Sequence, residues 1–193
     1  MTTSGLEDSR LVRRCQGGDL EAFNQLVLKY QDRVFDAVYR LTGEYADAQD
    51  LAQECFVKAF TGIKEFRGHS SFYTWLFRIA VNGALSRRRS DSRRERHVSG
   101  RYETPEELGL AAIDGGEVEP VQAVQQQEER TAVVEALRRL DPEQRAVIVL
   151  KDIEGADYER LSEILQCPRG TVKSRLHRAR QALRAELEKV MRA

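Results

Sequence analysis

Apolar residues recur every third or fourth position over most of this chain, the spacing that gathers them on one side of an α-helix. A first helical segment from Leu6 to Gln16 ends at Gly17-Gly18, and Asp19 follows as the N-cap of a long second helix. There Phe23, Leu26, Val27, Tyr30, Val34, Val38 and Leu41 form the inward stripe, and Gly43 stops it. A third helix turns Ala48, Leu51, Ala52, Cys55, Phe56, Ala59 and Phe60 inward before Gly62. The fourth sets Phe72, Trp75, Leu76 and Ile79 on one side and runs into Arg87, Arg88 and Arg89. No stretch alternates apolar and polar residues between turn signals, so the expected fold is all-α.

The helical pattern breaks over 97–126. Four glycines and two prolines sit there among Glu103, Glu106, Glu107, Asp114, Glu117 and Glu119, the composition of a flexible acidic linker. Two small helical domains are therefore expected, 1–96 and 127–193. The second opens with a helix from about Glu128 to Leu140. Asp141-Pro142-Glu143-Gln144 then combines an N-cap with proline at the first helical position, and Gly155 ends that helix. Asp157 caps the next helix, with Leu161, Ile164 and Leu165 inward, and Gln166-Cys167-Pro168 turns the chain into a last helix rich in arginine. Two short helices joined by a tight turn make a helix-turn-helix.

Charge changes the picture more than composition does. The 193 residues carry 31 basic and 31 acidic side chains, a net charge of zero that by itself predicts no anionic partner. Along the chain the balance is uneven: 9 basic and 2 acidic residues over 67–101, 3 and 11 over 102–143, 8 and 2 over 166–193. Two basic blocks flank an acidic one, and fields act over only about 8 Å in the cell. Cys15, Cys55 and Cys167 are odd in number and lack ligand spacing, which argues against a disulfide framework or a metal site and fits a reducing cytoplasm. The N-terminus has no basic-then-apolar leader, and the longest uncharged stretches are too short to span a bilayer, so a soluble intracellular protein is expected.

In the last helix, at about 100° per residue, Val172, Leu176, Ala179 and Leu183 fall within about 60° of one another. The opposite face holds Ser174, His177, Arg178 and Gln181, flanked by Lys173, Arg175 and Arg180, with no acid before Glu186. A major groove accepts one helix, central donors reaching base edges and flanking cations meeting phosphates. Such a motif does not name a function, because repressors, activators and sigma factors all use it.

The run Phe66-Arg67-Gly68-His69-Ser70-Ser71-Phe72-Tyr73-Thr74-Trp75-Leu76-Phe77-Arg78-Ile79-Ala80-Val81-Asn82 joins a glycine and serine loop to an aromatic cluster and an arginine-rich helix end. Aromatic surfaces with polar groups suit unpaired bases of single-stranded DNA. Phe72, Trp75 and Ile79 read as core. Tyr73 and Phe77 lie off that face and are expected to be free for contact.

Taken together, Asp47-Ala48-Gln49-Asp50-Leu51-Ala52-Gln53-Glu54, the FRGHSSFYTWLFRIAVN run and YERLSEILQCPRGTVKSRLHRAR closely resemble bacterial RNA polymerase sigma factors of the extracytoplasmic function (ECF) type. The resemblance implies a promoter-recognition factor that is not an enzyme alone and needs no cofactor. It places the core polymerase contact, on the clamp helices of the largest subunit, within Asp47 to Phe60, with Asp47, Asp50, Gln53 and Glu54 as contact residues. It assigns Phe66, Arg67, Gly68, His69, Ser70 and Tyr73, with Asn82, to a pocket for a base flipped from the −10 element, and Arg87 and Arg88 to DNA beside it. Lys173, Ser174, His177 and Arg178 fall on the −35 readers, with Arg175 beside them and Lys151 at a phosphate. Binding to the open strand then shifts the duplex equilibrium without a catalytic residue.

The resemblance further implies an anti-sigma partner, a stress or envelope response, and a linker threading through polymerase. The two elements lie about 25 base steps, or roughly 85 Å, apart, while roughly 30 linker residues span about 100 Å extended and about 30 Å as a coil. Departures from the family pattern are His69, Gly83 and His177, which bear on promoter preference. Two alternatives remain: a helix-turn-helix regulator acting without polymerase, which leaves the first domain unexplained, and a Cys/His switch using Cys15, Cys55, Cys167 and His69, which no spacing supports.

Overall fold

The computed structural model describes residues 3–94 and 132–190. The expected linker over 97–126 and the start of the helix expected from Glu128 lie outside them. The first helical body comprises α1 (Thr3–Gln16), α2 (Leu20–Thr42), α3 (Tyr45–Gly62), a 3-10 turn (Ile63–Glu65) and α4 (Phe72–Arg94). The second comprises α5 over 132–138, α6 (Pro142–Ile148), a π turn (Val149–Ile153), α7 (Tyr158–Leu165) and α8 (Arg169–Val190). No strand occurs among the described residues, so the fold is all-α as the periodicity predicts.

Helix ends fall where side chains satisfy orphaned backbone groups. Asp19 accepts from the Ala22 N–H at 3.1 Å, Asp141 from Glu143 at 2.9 Å, and Asp157 from Arg160 at 2.8 Å. At the end of α2, Gly43 takes a left-handed φ of 81° and donates its N–H to Tyr39 at 2.7 Å. The Arg138 side chain lies so close that a Cβ at Gly43 would overlap it, so glycine is needed there for space as well as conformation.

The first core is built from Leu26, Val34, Val38 and Leu41 on α2 and from Ala48, Leu51, Cys55 and Ala59 on α3, where small residues allow close approach. Two sequence expectations are corrected. Phe60 is exposed and Phe56 half-buried, so the α3 stripe ends as the lip of a surface groove. Tyr73 and Phe77 are 9% and 0% exposed, because α4 is covered by α2 and α3 on one side and by α7 of the second body on another. A wheel that assumes one buried face fails for a helix enclosed from two directions.

In the second body, five consecutive apolar residues from Ala146 to Leu150 are all buried. One face of an α-helix cannot hold five in a row, and the chain widens into the π turn, closed by Glu154 N–H to Val149 O at 2.9 Å. The helix expected to continue to Gly155 therefore changes pitch at Val149. Between α7 and α8, Gln166 turns the chain in the left-handed region at φ 51°, and Ser162 Oγ donates to Cys167 O at 2.7 Å.

The two bodies touch. Arg145 is 0% exposed; it donates to Leu41 O at the end of α2 at 2.5 Å and to Arg138 O and Leu140 O of its own body. Arg33 of α2 pairs with Glu154 at 3.0 Å, and α7 lies against α4.

Candidate functional site

Three surfaces carry the residues singled out by sequence. The first is the outer face of α8. Val172, Leu176 and Ala179 hold the helix down, while Lys173, Ser174, His177 and Arg178 are exposed. Neither Arg178 nor Lys173 is drawn into an ion pair among the described residues; Lys173 Nζ lies 5.6 Å from the centre of the Tyr158 ring. The flanking arginines differ. Arg175 is held by Glu143 at 2.8 Å, and Arg180 by both oxygens of Asp152, at 3.0 and 2.5 Å. Lys151 donates to Ala156 O at 3.0 Å and lies 5.0 Å from the Tyr158 ring, so its ammonium is steered beside α8 rather than left loose. The face thus has a polar centre with free cations and a rim of fixed ones.

The second surface is the loop between the 3-10 turn and α4. Gln16, the last residue of α1, donates through its side-chain amide to Ile63 O at 3.0 Å and to Phe66 O at 2.8 Å, tying the loop to the bundle. Phe66 sits on Trp75 with ring centroids 5.0 Å apart, and Gly68 takes φ 71°. Ser71 caps α4 by accepting from Thr74 N–H at 3.1 Å. Phe66, Arg67, Gly68, His69 and Ser70, with Trp75 and Arg78, surround a pocket of about 390 Å3. Glu163 of α7 forms another part of its wall. Five of the expected residues therefore converge.

Tyr73 and Asn82 are not among the pocket's lining residues. Asn82 is exposed, but it stands ten residues along α4 from Phe72, about 15 Å at 1.5 Å per residue. Tyr73 stacks on Phe77 at 4.2 Å beneath the second body, with the Arg33 guanidinium 4.9 Å and that of Arg160 5.9 Å from its ring centre. Burial, then the nearby Glu154 carboxylate, pushes its phenol up to about 12. Arg87 is engaged by Asp47 at 2.8 Å and Asp50 at 3.5 Å, so residues assigned to DNA and to polymerase meet in one cluster. The Arg88 side chain lies outside the described residues.

The third surface is a groove of about 730 Å3 between α2 and α3, floored by Phe23, Val27, Phe35 and Phe56, with Leu20 and Phe60 at its edges. Gln53 lines it, whereas Glu54 lies off it, paired with Lys58 at 3.1 Å. Sequence reasoning expected polar contacts here and missed the apolar floor. The signal was the adjacent pair Phe56-Val57 followed by Phe60, which widens the α3 stripe beyond what one core face needs. Cys55, by contrast, is buried and donates its thiol to Leu76 O at 3.6 Å; burial pushes it up to about 12. Among the described residues no group of three His, Cys, Asp or Glu side chains is placed to hold a metal ion, and no helix is long and apolar enough to cross a membrane.

Comparison with known proteins fits this geometry. The family model for sigma-70 region 2 matches residues 26–94, and that for sigma-70 region 4 matches 130–183. The RNA polymerase sigma-H factor of Pseudomonas aeruginosa is 36% identical over 196 residues, covering 96% of each chain. The ECF RNA polymerase sigma-E factor of Haemophilus influenzae is 36% identical over 186 residues, covering 96% of this chain and 98% of that one. Among solved structures, the sigma factor RpoE in complex with the anti-sigma factor NepR from Bartonella quintana superimposes with a TM-score of 0.67 at 26% identity, over 86% of this chain and 96% of that one. A helix-turn-helix with unpaired cations at the centre of its exposed face, a helical bundle with a loop pocket, and full-length similarity to ECF factors have one common explanation: this chain belongs to the sigma-70 family of RNA polymerase sigma factors, in its ECF group.

Proposed function

We propose that each of the three surfaces takes one part of the sigma factor's task, with 1–96 serving core polymerase and the −10 element, 127–193 serving the −35 element, and 97–126 joining them. Lys173, Ser174, His177 and Arg178 reach base edges in the −35 major groove, and Arg175 and Lys151 lie beside the phosphates. The loop Phe66, Arg67, Gly68, His69 and Ser70 holds an unpaired base of the −10 element. Tyr73, Asn82, Arg87 and Arg88 act along the exposed strand beside it. The α2–α3 groove, with Gln53 on its wall and Asp47, Asp50 and Glu54 nearby on α3, receives the clamp helices of the polymerase largest subunit, an apolar floor with a polar rim being the usual anatomy of a protein interface. An anti-sigma factor would hold the chain inactive, as NepR is found bound to its sigma factor. The cytoplasm is the compartment where these partners meet.

The observation that carries the reading is the division of α8 into free and neutralised cations. A face kept only for solubility would mix signs throughout; here Glu143 and Asp152 hold the rim while the centre is left open to an anion. Run-off transcription with purified core polymerase and a promoter library tests it. Promoter-specific transcripts that require this chain are the expected result. Tight duplex binding with no such transcript would instead mark a regulator that works without polymerase.

A further inference from the structure

The loop that lines the −10 pocket hangs from one residue. Phe66 donates its N–H to Ile63 O at 3.2 Å, and its ring lies 5.0 Å from that of Trp75 and 6.4 Å from that of Phe72. Its carbonyl, the last backbone group before Arg67, Gly68, His69 and Ser70, is held from outside the loop. Gln16, at the end of α1, aims both hydrogens of its side-chain amide there, one at Phe66 O at 2.8 Å and one at Ile63 O at 3.0 Å.

Gln16 is itself firmly placed. Upstream, the buried Asp8 carboxylate accepts from Tyr30 O–H at 2.5 Å and from Lys29 at 2.6 Å, which fixes α1 against α2, and Leu11, Val12 and Cys15 bury the inner face of the helix. Downstream, Arg14 Nε donates to Asp19 at 2.9 Å and Gly17 N–H returns to Arg14 O at 3.0 Å, clasping the turn that follows. The amide is thus carried by a braced helix end. By contrast, Arg67, Gly68 and His69 are exposed, and Gly68 turns at a left-handed φ of 71°. An exposed run around a glycine keeps one shape only if its entry point is fixed. The fixing element lies outside the segment shared with sigma-70 region 2, which begins at residue 26.

We propose that Gln16 is a positioning residue for −10 base recognition: its amide sets the direction of the Phe66 carbonyl, and with it the shape of the pocket that Arg67 to Ser70 form. The inference rests on the sigma reading above and adds to it a specificity determinant that touches no DNA. A pocket discriminates between bases only while its polar groups stay within about 0.5 Å of the productive geometry. A free pivot at Phe66 displaces all of them together. Loss of the amide therefore relaxes base choice more than it weakens binding, because Arg67 and Arg78 attract phosphates without regard to sequence.

Two substitutions in the full-length chain test this. Q16M keeps the length and neutrality of the side chain and removes its donors; Q16K puts donors back. Each variant is assembled with core polymerase, and run-off transcription is driven from a promoter that the wild-type chain selects. Every −10 base is replaced in turn, and the templates compete in one tube. In Q16M the preference for the selected base should fall about tenfold at one −10 position, with the preferences at −35 unchanged. Q16K should recover the wild-type ratio, and amide exchange at Phe66, whose N–H is bonded to Ile63 O, should rise in Q16M and fall back in Q16K. A mere loss of folded protein lowers all transcripts alike and leaves these ratios where they were. Wild-type preferences in Q16M, relaxation at −10 and −35 alike, or an equal loss in Q16M and Q16K would each overturn the tether and leave the sigma reading standing. Absence of promoter-specific run-off by the wild-type chain would overturn the reading beneath it.

Discussion

The face of α8 and the loop leading into α4 are both proposed to meet DNA, yet they are built in opposite ways. On α8 Lys173, Ser174, His177 and Arg178 are all exposed, on a helix whose inward stripe is continuous, and the flanking Arg175 and Arg180 are already neutralised within the chain. At the loop the surface is assembled from four elements: α1 supplies the Gln16 tether, the 3-10 turn its carbonyl partner, α4 the aromatic floor and α7 a wall. The difference is what the two proposed ligands would require. A duplex groove has a fixed width, so one rigid helix suffices. An extruded base needs a concave site, which a single helix does not offer.

The strongest way to break this contrast is to remove what holds the cover in place. Arg145→Ala leaves Leu41 O, Arg138 O and Leu140 O without their donor and opens a cavity; a loss of about 3 kcal/mol or more is expected, read by urea unfolding. The contrast sharpens with a pair of variants next. Arg178→Ala should lower −35 discrimination by about 1–3 kcal/mol in duplex competition and leave single-strand binding unchanged. Asn82→Ala should slow promoter opening, followed by permanganate footprinting, with duplex affinity at −35 intact. Equal loss of both activities in both variants would refute the division of labour.

Alkaline titration gives a smaller effect that touches only the covered side. Burial pushes the Tyr73 phenol up from its ordinary 10.0 to about 12, so the folded chain retains this proton longer than the unfolded chain does. Its contribution to stability is whole below pH 10.0 and is lost as pH rises through about 12. Absorbance of tyrosinate near 295 nm should rise together with amide exchange in α7, whereas ionisation without increased exchange would show that the Tyr73 proton does not help to hold α7 against α4. The smallest effect is expected for Arg175→Ala. Glu143 already occupies this arginine, so duplex affinity should fall by no more than about 0.5 kcal/mol, measured beside Arg178→Ala; an equal fall would mean the rim cations are free in solution.

How much could be read from sequence follows the same divide. Helix ends announced themselves through Asp19, Asp141 and Asp157, because capping is a local exchange between a side chain and backbone groups two or three residues away, and through Gly43, whose left-handed turn returns its N–H to Tyr39 O. The α8 face was legible because its periodicity encodes exposure directly. Tyr73 and Phe77 were misjudged because their cover comes from α7, some eighty residues downstream, and no local period records a second neighbour. The Arg87 cluster with Asp47 and Asp50 was hidden for the same reason: each residue made sense alone, and only the fold brings them together. The pitch change at Val149 left a local trace, the apolar run from Ala146 to Leu150, which a strict helical count absorbs without complaint.

Arg145 grips three carbonyls, and two of them belong to its own body. The same guanidinium therefore works in two directions: toward Arg138 O and Leu140 O it braces the second body from within, and toward Leu41 O it fastens that body to the end of α2, so a single substitution there is felt on both sides of the seam.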